Sequence, residues 1–144
     1  MSGPEFDASG PLDVSTLEGL AGRATTHPLV TDATFEPDSI SPRVLAIHLD
    51  SEQYPDPISE VRLDIRWLEG GDYSMHYVEV DPEGMWQCRW DRHPKPDAPY
   101  EHVHPPPDAR SAVEPSPING DNHLAVLFAV LGWIEERLRE HYDT

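Results

Sequence analysis

Val61-Arg62-Leu63-Asp64-Ile65-Arg66-Trp67, then the turn Glu69-Gly70-Gly71-Asp72, then Tyr73-Ser74-Met75-His76-Tyr77: this stretch decides the fold. Val61, Leu63, Ile65 and Trp67 take every second place, with Arg62, Asp64 and Arg66 between them. Successive side chains of a strand point to opposite faces, so a period of two gives one apolar face and one charged face. The glycine pair reads as a hairpin turn. Beyond it a strand to Val80 sets Tyr73, Met75 and Tyr77 against Ser74, His76 and Val78. Asp81-Pro82-Glu83-Gly84 turns the chain again, and Met85 to Arg92 sets Trp86, Cys88 and Trp90 against Gln87, Arg89 and Asp91. Three hairpin-linked strands with a shared apolar face make a meander.

Working toward the N-terminus, Val44 to Leu49 and Leu29 to Glu36 read as two further strands, separated by the turn Pro37-Asp38-Ser39. Residues 1–28 form an extension to the domain of residues 29–144. Its first 13 residues are small, acidic and broken by Gly3, Pro4, Gly10 and Pro11, and are expected to be disordered. Val14 to Ala24 can make a short helix with Leu17, Leu20 and Ala21 on one side. Toward the C-terminus, Asp121 or Asn122 can cap a helix running to about Tyr142. Leu124, Leu127, Phe128, Leu131, Ile134 and Leu138 recur at helical spacing, widened by Val130 and Trp133. The expected fold is α+β, an antiparallel sheet of about five strands with one long C-terminal helix across its apolar face.

Composition narrows the function. Twenty-seven Asp and Glu stand against 10 Lys and Arg, for a formal charge of −17. The excess is spread along the chain rather than gathered in a tail, and Lys95 is the single lysine. That pattern suggests the cytoplasm of a salt-accumulating halophile, where short-range screening relieves self-repulsion; circular dichroism in low salt checks this expectation. Bulk acidity argues against unspecific nucleic-acid binding, though not against a local arginine cluster. With one cysteine, Cys88, neither an intrachain disulfide nor a multi-cysteine zinc site is available, and Cys88 reads as a buried thiol. No stretch has the ~20 apolar residues needed to span a bilayer, so no membrane partner is expected.

Trp86 to Pro107 carries most of the chemistry. It holds Arg89, Arg92, His93, Lys95, His102 and His104, and leaves the strand that ends at Arg92 for a loop stiffened by Pro94, Pro96, Pro99 and Pro105 to Pro107. The face opposite the tryptophans carries Arg62, Arg66, His76, Gln87, Arg89 and Asp91, with His93 continuing the parity. Guanidinium forks match phosphate, so this face can hold an anion; it can equally be a solvated ladder of cross-strand ion pairs. His102-Val103-His104 puts two imidazoles on one side of an extended segment. They can pass protons near neutrality or tie down the loop. Metal binding is a third use, with Asp91, Asp97 or Glu101 completing a shell, but spacing alone is no metal motif and no metal is assigned. His48 and His123 read as structural, His27 and His141 as exposed.

The middle of the chain resembles the TumE-type toxins of type II toxin–antitoxin systems. The resemblance rests on Tyr73-Ser74-Met75-His76-Tyr77, Arg89-Trp90-Asp91, His93-Pro94, Pro96-Asp97, Pro99, His102, His104 and Val113-Glu114-Pro115-Ser116. It implies a growth-inhibiting cytoplasmic toxin held by a cognate antitoxin, with RNA or the translation machinery as target. One chemistry that suits such a toxin is metal-independent RNA cleavage with no cofactor. His102, His104 and His93, beside Asp91, would then move protons, and Arg89, Arg92, Arg62, Arg66 and His76 would hold phosphate. The chain departs from the family pattern in its long N-terminal extension, its loosely spaced histidines and the inserted Pro105-Pro106-Pro107.

Overall fold

The computed structural model describes residues 10–94, 98–110 and 113–143. The five expected strands are β1 (Val30–Glu36), β2 (Val44–Leu49), β3 (Glu60–Trp67), β4 (Tyr73–Asp81) and β5 (Gly84–Arg92). Two more, β6 (Glu101–His104) and β7 (Glu114–Pro115), raise the sheet to seven strands where the sequence reads as loop. All pairs are antiparallel and the spatial order follows the chain, β1-β2-β3-β4-β5-β6-β7. β6 and β7 are too short to show alternation, and pairing with a neighbour defines them instead. Pro115 sits on the outermost strand, where a missing N–H donor breaks no interior ladder.

Two helices cover one face. α1 (Val14–Ala24) begins at Asp13, whose carboxylate accepts from the Thr16 amide at 3.0 Å. Leu17, Leu20 and Ala24 of α1 are fully buried in the same core as the sheet. Just before it, Asp13 N–H donates to the Trp67 carbonyl (2.8 Å) and Glu69 N–H to that of Pro11 (3.0 Å). Pro11 to Asp13 are therefore pinned to the β3–β4 turn rather than loose, and the disorder expected of residues 1–9 lies outside the described residues.

α2 (His123–Tyr142) is capped by Asn122, whose side-chain oxygen accepts from the amides of Leu124 and Ala125. Its buried line is Val126, Leu127, Val130, Leu131 and Ile134. Burying those five side chains contributes on the order of 10 kcal/mol before the entropy of ordering is subtracted. Phe128, expected in the stripe, is 43% exposed; it lies on the flank toward α1, with the Arg23 guanidinium 5.5 Å from its ring. Trp133 stays on the sheet side, edge-on to Trp90 at 4.8 Å.

Register assigns the faces, because directly opposed residues share one. Leu63 opposes Tyr77, which opposes Cys88; Ile65 opposes Met75, which opposes Trp90 and then Val103. These form the helix-covered side. Cys88 is 2% exposed and burial pushes its thiol up to about 12, so it is an inert core residue. The other side of β3 to β6 carries the polar residues.

Candidate functional site

Two cross-strand rows build the polar face. Arg66, Ser74, Asp91 and His102 lie side by side across β3 to β6, and Asp64, His76, Arg89 and His104 make the next row. His93, one residue past β5, keeps the parity of Asp91. The outer part of this face is closed to solvent. Asp91, His93, His102 and His104 are each no more than 2% exposed, and Arg89 is 4% exposed. β6 makes this possible. By pairing with β5 it places both of its histidines directly beside Arg89 and Asp91.

Asp91 is the hub. Its Oδ2 accepts from Arg89, with Nε at 3.0 Å and Nη2 at 2.9 Å. The Nε2 atoms of His104, His93 and His102 lie 3.1, 3.5 and 3.7 Å from the same oxygen. Asp91 Oδ1 is buried and makes no hydrogen bond, and neither does His102 Nε2. The outer nitrogens are committed elsewhere, since His102 Nδ1 donates to the Pro99 carbonyl (2.9 Å) and His93 Nδ1 to that of Pro94 (2.8 Å). His104 Nε2 also stands 3.3 Å from Arg89 Nη2. A guanidinium only donates and a carboxylate only accepts. One Nε2 atom of a neutral ring cannot answer both.

The electrostatics follow from this crowding. Burial works against charge on Asp91, yet the imidazoles of His104 and His93 and the Arg89 guanidinium outweigh it, holding the carboxyl well below its ordinary range. His93 is raised above the usual imidazole value, first by its contact with Asp91. His102 is lowered, chiefly by burial. His76 is also lowered by burial, while its Nε2 bonds the Gln87 side-chain oxygen at 2.7 Å.

The structure thus brings together His93, His102, His104, Asp91 and Arg89, with His76 in the adjoining row. It does not bring Arg92, which parity puts on the helix side; there its Nη1 donates to the Gly120 carbonyl, pairs with Asp121, and its guanidinium lies 5.3 Å from the Tyr100 ring centre. Arg62 is on the polar face but is spent on Glu60 and Asp64 of its own strand. Arg66 is half-buried at the open end of the Asp91 row and makes no ion pair among the described residues.

A second buried cluster escaped the sequence reading. Glu79 alternates onto the helix side and is 3% exposed. It accepts two bonds from Arg137 (both 2.9 Å), one from the Tyr77 hydroxyl (2.6 Å) and one from His141 (3.1 Å). Tyr54 completes the chain with a 2.7 Å hydroxyl contact to Tyr77, and Arg137 stacks 3.6 Å over Trp86. His141, expected in solvent, is instead a donor in this network. His27 likewise bonds Glu135 of α2 at 3.0 Å. The usable signal was parity, which places Glu79 in line with Tyr73, Met75 and Tyr77.

Compared with known families, residues 20–138 match the family model described as toxin TumE. That span is most of the chain, and the protein belongs to the TumE toxin family. Membership implies an antitoxin partner. Comparison with curated proteins and with solved structures returns no match. No helix among the described residues is long and apolar enough to cross a membrane.

Proposed function

We propose that this chain arrests growth by acting on RNA or the translation machinery in the cytoplasm, through the polar sheet face centred on Asp91, and that a cognate antitoxin holds it in check. The observation that carries the reading is the convergence of three imidazoles and one guanidinium on a single buried carboxylate. A structural ladder spends its charges in pairs, as Arg62 does with Asp64; four chemically versatile groups on one oxygen serve a reaction better than a fold. Arg66 and the half-buried His76 lie at the accessible side of the two rows, where a phosphate can meet the face. Arg89 then stands behind them as the cation that orients the reacting groups.

Induction in a related host, with and without the antitoxin, tests the reading. Growth should stop without the antitoxin and resume with it, and RNA from arrested cells should show cleavage or stalled translation. His102→Ala combined with His104→Ala should abolish arrest in a chain that still folds by circular dichroism. A folded double variant that remains fully toxic removes these rings from the mechanism, and wild-type induction without arrest ends the toxin reading.

A further inference from the structure

We propose that Asp91, His102 and His104 form a binding site for one divalent transition-metal ion of the zinc type. Their ligand atoms all lie within 4.8 Å of one another, and each residue is at least 98% buried. The argument rests on which nitrogen faces inward. A carbonyl oxygen only accepts, so the Pro99 carbonyl requires hydrogen on Nδ1 of His102. The neutral His102 ring therefore turns its Nε2 lone pair, which has no hydrogen-bond partner, toward the carboxylate. This is the arrangement that metal-binding histidines use, with the far nitrogen tied to a backbone carbonyl and the near one free to coordinate.

Lone pairs facing a carboxylate repel unless something positive lies between them. A proton on one ring answers one such contact; a single metal ion answers all of them together. The spacing fits. Ligands bonded to zinc at ~2.0–2.1 Å in a tetrahedron sit roughly 3.3 Å apart, and the Nε2 atoms of His104 and His102 stand 3.1 and 3.7 Å from Asp91 Oδ2. Asp91 Oδ1, buried without a hydrogen bond, gives the carboxylate a second oxygen for the ion beside Oδ2, which Arg89 also holds. A desolvated oxygen with no partner is costly to keep otherwise. The Arg89 contact to His104, at 3.3 Å, is the one a metal displaces. Metal, guanidinium and one carboxylate leave the pocket net positive within a chain of formal charge −17, which suits a phosphate-bearing ligand.

The test uses purified full-length protein with any affinity tag removed. Incubated with zinc and exhaustively dialysed, it should retain about one equivalent per chain. Cobalt(II) in place of zinc should give the visible bands of a four-coordinate site. His102→Gln and His104→Gln should each lower metal affinity by more than the ~10–100-fold that loss of a ligand's hydrogen-bond partner costs, while His27→Gln and His123→Gln leave it unchanged. X-ray absorption of the zinc-loaded wild type should show imidazole scattering, a readout that needs no variant to fold. Retention below a tenth of an equivalent by folded wild type, full affinity in His102→Gln, or absorption spectra without imidazole would each overturn the site. Because these readouts are made on protein alone, they stand or fall separately from any effect on growth.

Discussion

Two carboxylates are buried on opposite faces of one sheet, and they are treated in opposite ways. Glu79 has four donors for its two oxygens, from Arg137, Tyr77 and His141, and every one has good length. Asp91 receives Arg89 and His104 on one oxygen, keeps the other without a hydrogen bond, and faces the unpartnered Nε2 of His102. The first arrangement is finished. It locks the end of α2 to β4 and to Tyr54, whose hydroxyl burial pushes up to about 12. The second is unfinished in the way a ligand site is unfinished. Burial alone would not have separated them, since both side chains are almost wholly enclosed. What separates them is the count of donors against acceptors.

The comparison can be attacked at its stable end first. Glu79→Gln removes the charge that Arg137 is desolvated to meet, and should cost about 3 kcal/mol in urea unfolding without changing metal retention. Loss of metal in that variant would show that the two clusters are coupled and would blur the distinction. Acid should act next. Burial opposes charge on Glu79, but its donors hold the folded carboxyl below the ordinary value of 4.5. The unfolded chain therefore binds the proton first, so this stabilisation is complete above about pH 4.5 and fades as pH falls through the lower folded value. Unfolding midpoints of wild type and Glu79→Gln should converge between pH 5 and the most acid pH at which the fold survives; a constant gap would contradict the assignment. The smallest effect belongs to Asn122→Ala. It frees two amides at the start of α2 and should cost about 1 kcal/mol, again with the Asp91 cluster unaffected.

Alternation made the centre of the fold readable from sequence. β3, β4 and β5 show it residue by residue, and α2 declares both its cap and its repeat. The polar face was legible for the same reason, because parity alone puts Arg89, Asp91 and His76 together. β6 was not, since four residues between prolines carry no periodicity, and its pairing with β5 exists only in three dimensions. Yet that pairing is what sets His102 beside Asp91 and His104 beside Arg89. Arg92 was misplaced by grouping it with its neighbour Arg89, although adjacent strand residues point apart. The orientation of the imidazoles was beyond reach, because it depends on backbone carbonyls of Pro94 and Pro99 that no side-chain pattern encodes. Spacing therefore suggested no metal, whereas geometry puts one forward.

The strand order that simply repeats the chain order has a kinetic corollary. Each ribbon of the sheet can zip onto the one synthesised just before it, with short loops to close and little searching. The rod that shields the indoles, however, is encoded after all seven strands, in α2. Until it has left the ribosome, Trp90 and its neighbours stay wet, and the nascent product is a half-clad sheet.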